Sequence, residues 1–506
     1  MQNAPIKVVD LFAGPGGLGE GFSRAGPDSH PFFKLVASVE MEANAHKTLS
    51  LRAFTREFSG RKIPRTYYAY LQGKVSIDEL FSSHKSEWKA ASVETLGRPA
   101  RLGRDNEEIH RAIEVALEGN DLPWVLIGGP PCQAYSHIGR ARNKGNKNYW
   151  PEKDERQELY QHYLEIVAKY SPAIFVMENV GGMLSAKLKG QKIIDQILSD
   201  VGQLAKVYGN SRALNYRFYS VSTLPTTDKK REEVYQPKDF IVKAEKYGVP
   251  QSRHRVILVG IRDDFDVNAK DLLLEESPVE PLINVIGDLP RLRSGLSRED
   301  SYGAWYQIAN SATEEIAEFL GEGSLQAPYD SLGRGGKFLK SSKPFRKRLS
   351  SQLAKWFKDE DIRGVLDHGT RGHMDRDVAR YMFVSYFGKK HGRSPRLSDF
   401  PEALLPKHKN VNSGKFVDRF KVQLPNRPSS TVTSHISKDG HYFIHYDARQ
   451  CRSLSVREAA RIQTFPDNYK FEGPRTSQYS QVGNAVPPYL AYQIANRIYE
   501  VLKKNI

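Results

Sequence analysis

Residues 6–19 read IKVVDLFAGPGGLG, and this stretch decides the fold. Ile6, Val8, Val9 and Leu11 make a short apolar, mostly β-branched run of the kind that forms buried strands. Gly14, Gly16, Gly17 and Gly19 then interrupt it, and a helical pattern resumes over residues 18–25. Glycines between a strand and a helix let the backbone approach a ligand at the strand's carboxyl end. The spacing is not that of the dinucleotide fingerprint, and no P-loop lysine follows. Residues 33–40 (FKLVASVE) read as a second strand closed by Glu40, an acid placed to accept hydrogen bonds from ribose hydroxyls. Turn and acid together favour a nucleoside cofactor, and adenosylmethionine fits them better than NAD or ATP.

Further strands are expected at residues 124–127 (WVLI), 173–177 (AIFVM) and 256–261 (VILVGI), with a helix at 156–169. This alternation predicts an α/β sheet flanked by helices. From residue 263 the chain turns polar and irregular. Residues 331–358 hold nine Lys or Arg and no acid, a solvated face or a phosphate-contacting one. Order returns after residue 427, with helices expected at 456–464 and 489–503. The 506 residues, 39% apolar, allow two or three domains. Only Cys132 and Cys451 are present, which excludes a disulfide framework and suits a reducing cytosol. The net charge of +16 favours a polyanionic partner. No apolar run is long enough to span a membrane, and the N-terminus is expected to carry no signal peptide.

Three further stretches carry chemistry. In GGPPCQ, Cys132 follows a strand and two stiffening prolines at the ligand-binding edge, a setting for a nucleophile rather than a packing residue. Cys451 has no such setting and reads as packing. Glu178 and Asn179 end the strand AIFVM. In QSRHR, Arg253 and Arg255 alternate and so share a face.

DLFAGPGG, GGPPCQAYS, ENV, QSRHR, RPSSTVTS, VREAARIQTFPD and QVGNAVPP occur in this chain in the order found in bacterial DNA (cytosine-5) methyltransferases of restriction-modification type, which it resembles over residues 6–261 and 427–495 in pieces. The resemblance implies a Rossmann-like adenosylmethionine-dependent methyltransferase sheet and a smaller, irregular target-recognition domain. It divides the chain into a catalytic domain at 1–262, target recognition at 263–426, and a return segment with closing helix at 427–506. Cys132 would add to cytosine carbon 6, because carbon 5 alone is too weak a nucleophile to take a methyl group from a sulfonium. Glu178 would hydrogen-bond ring N3 and the exocyclic amine, which requires a protonated carboxyl at least transiently. Arg253 would contact O2, Asn179 would position the loop, and Arg255 would complete the catalytic set.

For the cofactor, the resemblance implies Phe12, Ala13, Gly14, Gly16 and Gly17 at the methionine, Glu40 at the ribose, Met41 on the adenine, and Asn484 and Ala485 as the last contacts. S-adenosylhomocysteine would be the product. The loop at 133–150 would close over DNA from which the base has been flipped, using Arg140, Arg142, Lys144 and Lys147. The acid for the adenine amine is expected near GKVSIDEL, where Lys74 aligns and Asp78 is the nearest substitute; residues 60–122 read as inserted helices. The cluster His368, Arg371, His373, Asp375 reads as a structural network or DNA contact, so no metal is expected. The expected partners are double-stranded DNA and, genetically, a cognate endonuclease; a cytoplasmic, nucleoid-associated monomer is expected. A tRNA methyltransferase, a silent DNA binder and a small-molecule methyltransferase fit the basic middle segment or the intact site less well.

Overall fold

A computed structural model describes residues 4–130, 159–188, 191–210, 214–228, 233–340, 350–406 and 418–505. The opening stretch forms β1 (Ile6–Leu11) and α1 (Gly17–Ser23). Then come β2 (Phe33–Val39), α2 (Ala43–Arg56) and the inserted helices α3 (Arg65–Leu71), α4 (Ile77–Ser82), α5 (Lys85–Glu94) and α6 (Asn106–Leu117). The sheet continues with β3 (Val125–Gly128), α7 (Leu159–Tyr170), β4 (Ile174–Val180), α8 (Ile193–Val201), β5 (Tyr216–Tyr219), β6 (Ile241–Lys243) and β7 (His254–Arg262).

These seven strands form one sheet in the order β6-β7-β4-β3-β1-β2, with β5 pairing on β7 beyond β6. The strands β2, β1, β3 and β4 are parallel, and β7 runs antiparallel to β4, with Ile257 opposite Glu178. Alternation along each strand sends side chains to two buried faces, as a sheet covered on both sides requires. Val9, Leu11, Leu126, Phe175 and Met177 meet α6, α7 and α8 on one face. Val8, Val125, Ile127, Ile174 and Val176 meet α1 and the last helix on the other.

The middle of the chain holds two long helices that its polar character conceals: α9 (Tyr302–Leu320) and α10 (Asp375–His391), separated by the hairpin of β8 (Gly335–Lys340) and β9 (Gly364–Gly369). The return segment supplies α11 (Val456–Ile462), α12 (Arg475–Asn484) and α13 (Pro488–Lys503). Helix α13 lies so close on α1 that a Cβ on Gly21 would stand 2.4 Å from Ala491 Cβ.

The core clusters do not divide at the boundaries expected from sequence. Leu282, Ile286, Leu353 and Trp356, from residues 263–426, pack with Ala459, Ile462 and Val482 of the return segment. The smaller body is built by α9 and α10 with Phe420, Val422, Ile444 and Cys451, and so extends past residue 426. The physical reason is burial: amphipathic pieces join whichever core covers their apolar face, regardless of chain order. Cys451 is a packing residue here, its Sγ 3.1 Å from the Ala448 carbonyl, and burial pushes its thiol far above the usual range.

His368, Arg371 and His373 stitch these parts together. His368 Nε2 lies 2.8 Å from the Pro290 carbonyl and Nδ1 2.8 Å from Ser455 Oγ; Arg371 donates to the carbonyls of Ile436 and Lys438. His373 meets Ser453 and Tyr381. Burial lowers the His368 imidazole to about 4, and burial with Arg452 nearby lowers His445. A histidine held neutral in the fold titrates near 6.5 when unfolded, so protons favour the unfolded chain between these values. That stability is complete above about pH 6.5 and is lost as pH falls through about 4. His368 alone should cost about 2 kcal/mol by pH 5. Thermal melts at pH 7 and pH 5 test this, and His368→Gln should flatten the dependence; an equally steep fall in that variant would contradict it.

Candidate active site

The glycine turn is built at the carboxyl ends of β1 and β2. Phe12 (φ 58°), Gly14 (φ 58°) and Gly16 (φ 98°) all take left-handed backbone, so the chain reverses within a few residues. Glu40 locks it: Oε2 accepts from Gly14 N at 2.8 Å and Oε1 from Glu42 N at 2.6 Å. Burial raises the Glu40 carboxyl above its usual range. Met41, next in the chain, is 56% exposed. From the other side, a Cβ on Gly17 would stand 2.4 Å from the Val486 carbonyl and 3.2 Å from Ala485 Cβ. The fold thus gathers Phe12, Ala13, Gly14, Gly16, Gly17, Glu40, Met41 and Ala485 around one turn, with Asn484 exposed beside it.

These residues fit a nucleoside with an attached amino acid. A Cβ on Gly14 would meet nothing within 4 Å, so the turn presents open space to a ligand. Beneath it Asp10 is fully buried, and neither carboxylate oxygen has a hydrogen-bond partner among the described residues. Burial raises its pKa well above the usual range.

The strand on which the adenine-amine expectation was placed is absent. Residues 77–82 are helical, not the sequel of a strand, and Leu80 packs with Phe54 and Tyr67 in a separate cluster while Lys74 and Asp78 are exposed. The i, i+3, i+4 spacing of Ile77, Leu80 and Phe81 behind the Ser76 cap favours helix over strand there. The segment beside β2's end is instead 98–105: Ala100 N donates to the Glu40 carbonyl at 2.9 Å, and Asp105 accepts from Arg101 N at 2.8 Å.

At the ends of β3 and β4, a Cβ on Gly129 would stand 3.1 Å from Glu178 Oε2. Asn179 Nδ2 donates to the Pro130 carbonyl at 3.1 Å, tying β4 to the proline turn that leads into residue 132. Cys132, Arg140, Arg142, Lys144 and Lys147 lie outside the described residues. Arg255 Nε pairs with Glu178 Oε1 at 3.0 Å, the two side chains reaching across adjacent strands.

Arg253, within electrostatic reach of Glu178, is engaged by backbone carbonyls, which its expected contact with the base did not foresee. It is 1% exposed, and its guanidinium donates to the carbonyls of Val432 at 2.7 Å, Ala485 at 2.8 Å and Gly483 at 3.3 Å. Residue 253 lies between the short strand Gln251–Ser252 and β7, so the alternation assumed for 253 and 255 does not hold. Arg253 is a structural clasp, and Arg255 is the cation at the carboxylate. Among the described residues no group of three or more His, Cys, Asp or Glu is placed to hold a metal, and no helix is long and apolar enough to cross a membrane.

A mixed sheet with its glycine turn after β1, an acid after β2 and an antiparallel β7 beside β4 defines a methyltransferase-type α/β fold. Residues 86–500 match the family model of the C-5 cytosine-specific DNA methylase. Type II methyltransferase M.Bpa9945I of Bacillus paralicheniformis is 34% identical, covering 98% of this chain and 99% of its own length. Type II methyltransferase M.DdeI of Desulfomicrobium norvegicum is 26% identical over 97% of this chain and 88% of its own. DNA (cytosine-5-)-methyltransferase M.ApeKI of Aeropyrum pernix is 27% identical over 76% and 83%. The chain therefore belongs to the C-5 cytosine-specific DNA methylase family, and it is a DNA (cytosine-5-)-methyltransferase of the restriction-modification type.

Proposed function

We propose that this enzyme methylates carbon 5 of a flipped-out cytosine in one short duplex sequence, with S-adenosylmethionine as donor, to protect that site from a cognate endonuclease. The observation that carries the reading is the meeting of Glu178 and Arg255 beneath the Gly129–Pro130 turn, which leads directly to Cys132. Adenosylmethionine supplies the electrophilic methyl group and leaves as S-adenosylhomocysteine. Phe12–Gly17 hold its methionine portion, Glu40 its ribose, Met41 its adenine, and Asn484 and Ala485 close the pocket. The segment 98–105 replaces Lys74 and Asp78 as the place for an adenine-amine contact, because it is what abuts Glu40.

The thiolate of Cys132 adds to cytosine carbon 6, and the electron pair released makes carbon 5 nucleophilic. Glu178 hydrogen-bonds ring N3 and the exocyclic amine, and Arg255, beside it, stabilises charge at O2. Asn179 holds the proline turn in register. After methyl transfer a base removes the carbon 5 proton and the carbon 6–sulfur bond breaks, returning the thiolate. Flipping costs a few kcal/mol of stacking and pairing, which contacts from Arg140, Arg142, Lys144 and Lys147 offset. Base recognition belongs to the smaller body around α9 and α10, acting in the major groove. We assign the enzyme to the bacterial cytoplasm, working as a monomer on the nucleoid.

Labelled methyl transfer from adenosylmethionine to unmethylated genomic DNA, followed by base-resolution mapping of 5-methylcytosine, tests the whole reading. Label at one cytosine of one short motif is the expected result. Label on transfer RNA but not on DNA would overturn it.

A further inference from the structure

The loop after α11 carries a tyrosine that the proposed reaction does not use. Tyr469 is fully buried, and its phenol donates a hydrogen bond to the carbonyl of Pro15, inside the glycine turn. The next residue, Gly16, has φ 98°, and a Cβ there would stand 3.0 Å from the Tyr469 hydroxyl and 3.1 Å from Leu49 Cδ1. The phenol thus lies directly against the turn, in space that only glycine leaves free.

We propose that Tyr469 is a positioning residue for the cofactor: its hydroxyl pins the Pro15 carbonyl and so holds the glycine turn in the shape that receives adenosylmethionine. This rests on the cofactor assignment made above.

The tyrosine is itself anchored from several sides. Arg457 Nη2 donates to the Tyr469 carbonyl at 2.7 Å, and the Arg52 guanidinium sits 4.9 Å from the ring centre. Arg52 also reaches Asn468 Oδ1 at 3.1 Å while pairing with Glu20 at 2.6 Å. From the insertion, Tyr67 OH donates to the Asn468 carbonyl at 2.9 Å. With ring and main chain both held, the hydroxyl is a fixed point and the turn must conform to it.

Without the hydroxyl, the Pro15 carbonyl loses its partner and residues 14–17 sample other shapes, so only a fraction of molecules is ready to bind. Tyr469→Phe removes that hydroxyl alone. Tyr67→Phe removes an equally buried hydroxyl that bonds the neighbouring residue and does not touch the turn. Calorimetric titration with adenosylmethionine should show Tyr469→Phe weakened about tenfold, equivalent to about 1.4 kcal/mol. Its KM for the cofactor should rise in step, with kcat at saturation and the Kd for DNA within about twofold of the parent. Tyr67→Phe should melt lower yet keep its cofactor Kd within about twofold, since its hydroxyl bonds the Asn468 carbonyl and not the turn. Unchanged cofactor affinity in Tyr469→Phe, or equal weakening in both variants, would overturn the proposal. A parent enzyme that binds no adenosylmethionine would instead overturn the cofactor assignment, before any variant is compared.

Discussion

Cys132→Ala should lower methyl transfer to DNA by at least about a thousandfold, because on the proposed mechanism its thiolate forms the carbon 6 adduct. Among the described residues the other cysteine cannot substitute. Cys451 is 1% exposed inside the smaller body, with its thiol pushed far above the usual range by burial. Binding of duplex DNA and of adenosylmethionine should persist in the variant, since on the proposed mechanism neither requires the carbon 6 adduct. The measurement is initial-rate methyl transfer beside gel-shift binding on the same preparation. Retained transfer at more than a few per cent of the parent rate would remove Cys132 from the mechanism.

The second large effect separates two arginines two residues apart. Arg255→Ala should fold and bind DNA but lose turnover by about a hundredfold or more, the usual consequence of removing one donor from a site of developing charge. Arg253→Met should behave in the opposite way. It strips donors from the buried carbonyls of Val432, Gly483 and Ala485, at a cost on the order of 3 kcal/mol or more. Its melting point should drop by many degrees, and the activity left at low temperature should scale with the folded fraction. Thermal melts and kcat measured on both variants decide the matter. A stable, inactive Arg253→Met beside an active Arg255→Ala would restore the assignment that the sequence alone suggested.

That suggestion shows where sequence reasoning runs out. Alternation places residues 253 and 255 on one face only if both lie in one continuous strand. The chain breaks strand pairing at 253, and its guanidinium turns toward segments 179 to 232 residues further along the chain. No local pattern announces carbonyls that distant. Lys74 is a similar case, since aligning it with an expected strand presumed a strand where Ser76 caps a helix. The helices α9 and α10 were hidden for another reason. In α10, residues 377–388 are buried on every side, so the 3.6-residue periodicity that marks a helix is lost. Tyr469 sits two residues beyond a quoted motif, yet a tyrosine in a loop carries no sign of which carbonyl it will meet.

The sequence by itself determined the sheet's parallel strands and the glycine turn. Their signals are local: β-branched runs long enough for one strand, and glycines where positive φ leaves no alternative. The order of its motifs also pointed to the enzyme class, because Glu178 and the turn come from strand ends whose positions a doubly wound sheet dictates. Only the tertiary structure decided which arginine faces Glu178, which segment abuts Glu40, and which parts of the middle region join which core. Those choices depend on contacts between residues tens to hundreds of positions apart, where burial and hydrogen-bond satisfaction select the partner and sequence spacing carries no information.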